Sequence, residues 1–184
     1  MALALSGTSN GSLNNLSLTT NTGTVVDTSV NPFLAYDSWY LNANQTADAT
    51  PITNWSRRPS SYVQIGSAMT LSSGVFTFPT TGIWQIIFRT FFDFNATADD
   101  QFQSYIRTGT SGTPNTDAAR IVEGGAGVGD QVGISSSQLM FDVTDTTNCV
   151  VDVRVSSIGS GNFFVGGSTS YDSTIIEFLK LGET

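Results

Sequence analysis

Residues 74–92 constrain this chain more than any other stretch. They read GVFTFPTTGIWQIIFRTFF: a short alternating segment, a Pro-Thr-Thr-Gly turn, then a long segment dense in aromatic and β-branched residues. Proline at the second turn position presets φ, and glycine suits its end. β-branched and aromatic side chains fit a pleated, half-buried surface, so 83–92 reads as a core strand. The run is answered at the C-terminus by SYDSTIIEFLKLG, residues 170–182, which reads as a closing strand. A short strand, a tight turn, a buried aromatic strand and a closing strand point to an antiparallel jelly roll.

Composition supports an all-β chain. Only 12% of its 184 residues are charged, against 39% hydrophobic, and Gly, Ser, Thr and Asn fill much of the rest. Ser, Thr and Asn compete for backbone hydrogen bonds and glycine costs about 1 kcal/mol per helical site, so helices are disfavoured. Further alternating stretches fall at 33–41, 62–65, 69–71, 102–108, 118–123, 138–143, 150–155, 163–165 and 174–181. Eight to ten short strands separated by polar turns indicate a jelly roll or a related sandwich.

Two segments differ from the rest. Residues 1–32 are Ser-, Thr-, Asn- and Gly-rich, with no charged side chain before Asp27, and Leu3, Leu5, Leu13, Leu16 and Leu18 are spaced through them. Such a segment cannot bury a core alone; it reads as an extended N-terminal attachment arm, the alternative being a flexible tail, with 33–184 as the jelly-roll domain. The glycine cluster GGAGVGDQVG at 124–133 lacks the helix start and the lysine that a phosphate loop needs, and reads as a loop.

The net charge of −8, with basic residues scattered and only Arg57 and Arg58 adjacent, leaves no basic face for nucleic acid. Arg57–Arg58 reads as a solvated loop pair or as an ion pair with a neighbouring subunit's aspartate. The N-terminus has no positive region of a signal peptide and no stretch approaches a membrane span, so synthesis in a host cytoplasm is expected. Cys149, the single cysteine, sits in an alternating strand and reads as a buried structural thiol.

Catalysis finds little footing. The chain has no histidine, which removes Ser–His–Asp and Cys–His arrangements and the commonest zinc ligand. The carboxylate pairs Asp99–Asp100, Asp142–Asp145 and Asp37–Asp48 fall on loops or strand ends rather than across a cleft. Calcium on Asp99, Asp100 or Asp142 lacks any recognisable ligand spacing. The chain reads as a non-enzyme without cofactor. Trp39, Tyr40 and Trp55 are candidate stacking platforms for a glycan.

Gly74, Phe76, Phe78, Pro79, Gly82 and Trp84 resemble the "G-x-F-x-x-P-x-x-G-x-Y/W" run of the complement-head and tumour-necrosis-factor-like jelly rolls. Residues 137–143, 145–148 and 149–156 look like that family's later strand–turn–strand, and 172–178 like its closing strand, departing at Ile175 and Glu177. The resemblance covers residues 33–182. It implies a homotrimer packed about a threefold axis through one apolar sheet face, for which Trp84, Ile86, Phe88, Tyr105 and Phe178 are the expected axial residues. With the polar arm, it also implies a bacteriophage virion protein. The expected role is a capsid decoration or cement protein whose arm leucines dock on the major capsid protein. A trimeric tail-fibre or spike tip that binds a host glycan is the alternative.

Overall fold

The computed structural model describes residues 34–57, 63–94, 101–123, 131–158 and 163–184. The proposed arm, with Leu3, Leu5, Leu13, Leu16 and Leu18, lies outside them, as do Arg58, Asp99 and Asp100.

The strands are β1 (Ala35–Leu41), β2 (Trp55–Ser56), β3 (Thr70–Ser72), β4 (Val75–Thr77), β5 (Gly82–Phe94), β6 (Phe102–Gly109), β7 (Thr116–Glu123), β8 (Gln131–Val143), β9 (Val150–Ser156), β10 (Phe163–Val165) and β11 (Ile175–Gly182). All pairings between them are antiparallel and form two sheets. One sheet runs β8–β5–β11–β1–β2, with β10 beside the far end of β5. The other runs β3–β4–β9–β6–β7.

The pairs β1/β11, β4/β9, β5/β8 and β6/β7 are nested one inside the next along the chain. A long hairpin with its tip between β6 and β7, rolled so that successive pairs fall in alternate sheets, produces this order. That is a jelly-roll sandwich, as the sequence leads one to expect.

The core lies between the sheets. Along β5, Trp84, Ile86, Phe88, Phe92 and Phe94 point inward, while Ile83, Gln85, Ile87, Arg89, Phe91 and Asp93 take the outer face. Phe76 stands 5.0 Å from Phe178 and 5.5 Å edge-on to Trp39, and Phe78 lies 5.4 Å from Trp84, centroid to centroid. These offset and edge-on rings interlock the two sheets and add about 0.5–1.5 kcal/mol per pair beyond area burial.

Turn glycines fix the bends that the sequence marks. Gly74, between β3 and β4, has φ +84°, and a Cβ there would lie 2.5 Å from the Ile52 carbonyl oxygen. Gly74→Ala is therefore expected to cost about 1–3 kcal/mol through backbone strain and the clash, read as a lowered midpoint in urea unfolding.

One strand differs from expectation. β8 starts at Gln131, inside the glycine-rich stretch and seven residues before the alternating segment at 138–143. Residues 131–143 pair in unbroken register with 94–82 of β5. The partner strand, not local side-chain alternation, defines this half of β8.

Candidate self-association face

The outer face of the six-stranded sheet is assembled from alternate residues of β5, β8, β11 and β1. Register places Ile83 beside Asp142, Gln85 beside Met140, Ile87 beside Gln138, Arg89 beside Ser136, Phe91 beside Ile134 and Asp93 beside Val132. On the other flank of β5, Ile175 aligns with Arg89, Glu177 with Ile87 and Leu179 with Gln85. Tyr36 of β1 then follows Leu179.

This face sets exposed large apolar side chains among its polar ones. Val132, Ile134 and Met140 of β8 are 65%, 71% and 52% exposed, while Ser135 and Ser137 of the same strand point into the core. The hydroxyls of Ser135, Ser137 and the neighbouring Thr90 are buried without a hydrogen-bond partner. The usual polarity of a half-exposed strand is thus inverted along the first half of β8, residues 132–137, and returns to normal where Leu139, Phe141 and Val143 turn inward and Gln138 and Asp142 outward. Beside it, Tyr36, Val63, Ile65, Ile87, Glu177 and Leu179 line a concavity of about 380 Å³.

A polar group crosses the apolar field. Arg89 pairs with Glu177 across β5 and β11, and the Tyr36 hydroxyl donates to Glu177 Oε1 at 2.7 Å. Burial, then this hydrogen bond, pushes the Tyr36 hydroxyl up to about 12. A folded value above the unfolded one means that this contribution to stability is intact below pH ~10 and lost as pH rises towards ~12. An ultraviolet titration is expected to show one late tyrosine step near 12, absent from Tyr36→Phe.

The residues expected at the threefold axis lie elsewhere. Trp84, Ile86, Phe88 and Phe178 have no exposed surface and fill the interior between the sheets, so they have none to give a partner copy. Alternation separates the two faces of a strand, and the largest side chains went to the inner one; the outward set is Ile83, Gln85, Ile87, Glu177 and Leu179, one residue away. Tyr105 belongs to the other sheet and lies under Arg154.

The expected glycan platforms are likewise covered. Trp39, Tyr40 and Trp55 are 8%, 9% and 6% exposed. Trp39 packs on Phe76 beneath the Arg57 guanidinium, 3.8 Å from its ring centroid, and Trp55 lies against Phe76 and Phe88. Stacking a sugar on Trp39 or Trp55 would require unpacking the core, and Tyr40 is nearly as well covered.

The charged pairs have structural roles. Arg57 binds Asp37 of its own chain at 2.7 Å and the Met69 carbonyl at 2.6 Å, rather than standing free in solvent. Asp37, 1% exposed, also accepts the Met69 N–H at 2.7 Å. Asp48 accepts the Ile158 N–H, and Asp145 closes the β8–β9 turn through Thr147 N and Asn148 Nδ2. These turn hydrogen bonds, the Thr147 N–H first, hold the Asp145 carboxyl below its usual range. Cys149 is buried, immediately before β9. Among the described residues no three His, Cys, Asp or Glu side chains converge as a metal site would require.

No protein-family model matches the chain, and no curated protein matches its sequence. Solved structures do match. Eiger TNF from S. frugiperda aligns with a TM-score of 0.55 at 14% identity, over 84% of this chain and 96% of that one. Murine APRIL aligns with a TM-score of 0.56 at 13% identity, over 80% and 98%. At such identities the likeness is one of fold: the domain is a tumour-necrosis-factor-like jelly roll.

Proposed function

We propose that this chain is a non-enzymatic, self-assembling jelly-roll protein whose copies pack as a homotrimer through the outer face of the six-stranded sheet. The observation that carries this reading is the inverted polarity of the first half of β8, which exposes Val132 and Ile134 while burying Ser135 and Ser137, with Met140 exposed further along the same face. Such a pattern is costly in an isolated chain. Covering the outer face recovers about 25 cal/mol per Å² of apolar area. The count of three follows from the resemblance to tumour-necrosis-factor-like jelly rolls.

The finer reading places the trimer on a bacteriophage virion, as a capsid decoration or cement protein made in the host cytoplasm. Its support is the charge-poor, leucine-bearing composition of residues 1–32. Three linked arms would gain avidity on a capsid lattice without any new contact type. Light scattering after size exclusion tests the assembly: a mass near three times 19.5 kDa is expected, and a monomer at tens of micromolar overturns it. Deleting residues 1–32 tests the virion role, which fails if capsid binding is unchanged.

A further inference from the structure

The outer face of the five-stranded sheet carries a second ordered surface. Its strand β6 pairs with β7 on one side and β9 on the other, so side chains cross the face in rows: Val122–Gln103–Ser156, Arg120–Tyr105–Arg154 and Asp117–Arg107–Asp152. Three of the chain's seven basic residues stand here, on a molecule of net charge −8.

The last row is internally satisfied. Arg107 Nε donates to Asp152 Oδ1 at 2.8 Å, and Asp152 is 1% exposed. The middle row is not. Arg154 lies over the Tyr105 ring at 3.8 Å, reaches Asp117 only at 3.6 Å, and keeps a buried Nε without an acceptor. Arg120 is exposed, and no carboxylate among the described residues pairs with it. Tyr105, 5% exposed, donates to Gln103 Oε1. Burial pushes its hydroxyl up, but Ser156, Arg154 and Arg120 override that and hold it below the usual phenol value. Two arginines thus flank the same tyrosine, Arg154 over its ring and Arg120 opposite it in register.

We propose that the Arg120–Tyr105–Arg154 row binds the carboxylate of an acidic saccharide. Guanidinium groups match a carboxylate through paired, charge-assisted hydrogen bonds. The flanking Gln103 and Ser156 offer neutral donors and acceptors to sugar hydroxyls. The Asp117 side chain, 43% exposed, can accept from a hydroxyl and repels a second anionic group. An acidic peptide or a nucleic acid carries successive charges that Asp117 and the net charge of −8 oppose. A saccharide with one carboxylate among neutral hydroxyls meets no such penalty. The site uses neither the outer face of the six-stranded sheet nor the buried Trp39, Tyr40 and Trp55, and it does not rest on the trimer.

The test is binding of the full chain to immobilised oligosaccharides in matched pairs, one member ending in a uronic or sialic acid and the other with that carboxyl reduced to an alcohol. Binding is expected only on the carboxylate members, weakened by added salt and reduced at least tenfold in Arg120→Ala, whose exposed side chain can be removed without unfolding the sheet. Absence of binding, equal binding to both members, or an unchanged signal in Arg120→Ala overturns the proposal. Arg120-dependent capture of an acidic peptide without saccharide binding also overturns it.

Discussion

Replacing Ile134 with aspartate is expected to convert the assembled protein into a folded monomer. Ile134 is 71% exposed in the single chain, so its side chain contributes little to the core. Surface substitutions of that kind ordinarily move stability by no more than about 0.5 kcal/mol. In the assembly the same side chain would be covered. Loss of its burial removes about 1.5–3 kcal/mol per copy, and a desolvated carboxylate adds several more. Symmetry repeats the defect in every copy. Size exclusion with light scattering is expected to show a mass near 19.5 kDa, while the far- and near-ultraviolet circular dichroism of the wild type persists. An assembly of unchanged mass would remove β8 from the interface.

Phe178→Ala is expected to do the opposite: destabilise the fold of the chain rather than act on its assembly. Phe178 has no exposed surface and packs against Phe76 at 5.0 Å and Phe78 at 6.2 Å, joining β11 to the second sheet. Truncation leaves a cavity whose cost, with the lost transfer energy, is about 3–5 kcal/mol. That is a large part of the 5–15 kcal/mol by which domains are usually stable. Chemical denaturation is expected to show an unfolding free energy lowered by about 3–5 kcal/mol, with the midpoint lowered accordingly. If Phe178 packed at a threefold axis, the variant would instead dissociate with its fold intact. The two substitutions therefore separate the interior of the sandwich from its outer face.

The comparison of these residues shows what the sequence could and could not convey. The turn at 79–82, the aromatic period-two run of β5 and the closing strand β11 are legible because local chemistry and tertiary role agree there. Alternation sorts Trp84, Ile86 and Phe88 from Ile83, Gln85 and Ile87, but it does not say which set meets the second sheet. That choice is made by volume: an interior about 10 Å thick between packed sheets takes the large rings, and β4 and β9 supply the opposing surface. The first half of β8 was illegible for another reason. Its Ile134-Ser-Ser-Ser-Gln carries serine inward and isoleucine outward, so no hydrophobic pattern announces a strand; pairing with β5 creates it. Trp39 and Trp55 read as exposed because they border polar loops in sequence, while Phe76 buries them in space.

The Tyr36–Glu177–Arg89 group fits the same account. A hydroxyl, a carboxylate and a guanidinium satisfying one another can be covered by a partner without leaving a buried charge unpaired. The concavity next to it, lined by Ile65, Ile87 and Leu179, supplies the apolar seat. Neither feature is visible in any contiguous stretch of sequence, because its members come from β1, β5 and β11, and for the concavity also from Val63 and Ile65 between β2 and β3, and meet only in the folded sheet.

Thiol accessibility at the outer face of the six-stranded sheet tests the central claim most directly. Ser136 is exposed in the single chain and lies on that face beside Arg89, and the native Cys149 is buried. A Ser136→Cys variant that keeps the assembled mass is expected to react with a maleimide at least tenfold more slowly than Ser111→Cys, placed in an exposed loop. The protection is expected to vanish when Ile134→Asp is added. Equal labelling rates at both positions in a trimer of full mass would show that another surface holds the copies together, and would contradict the account.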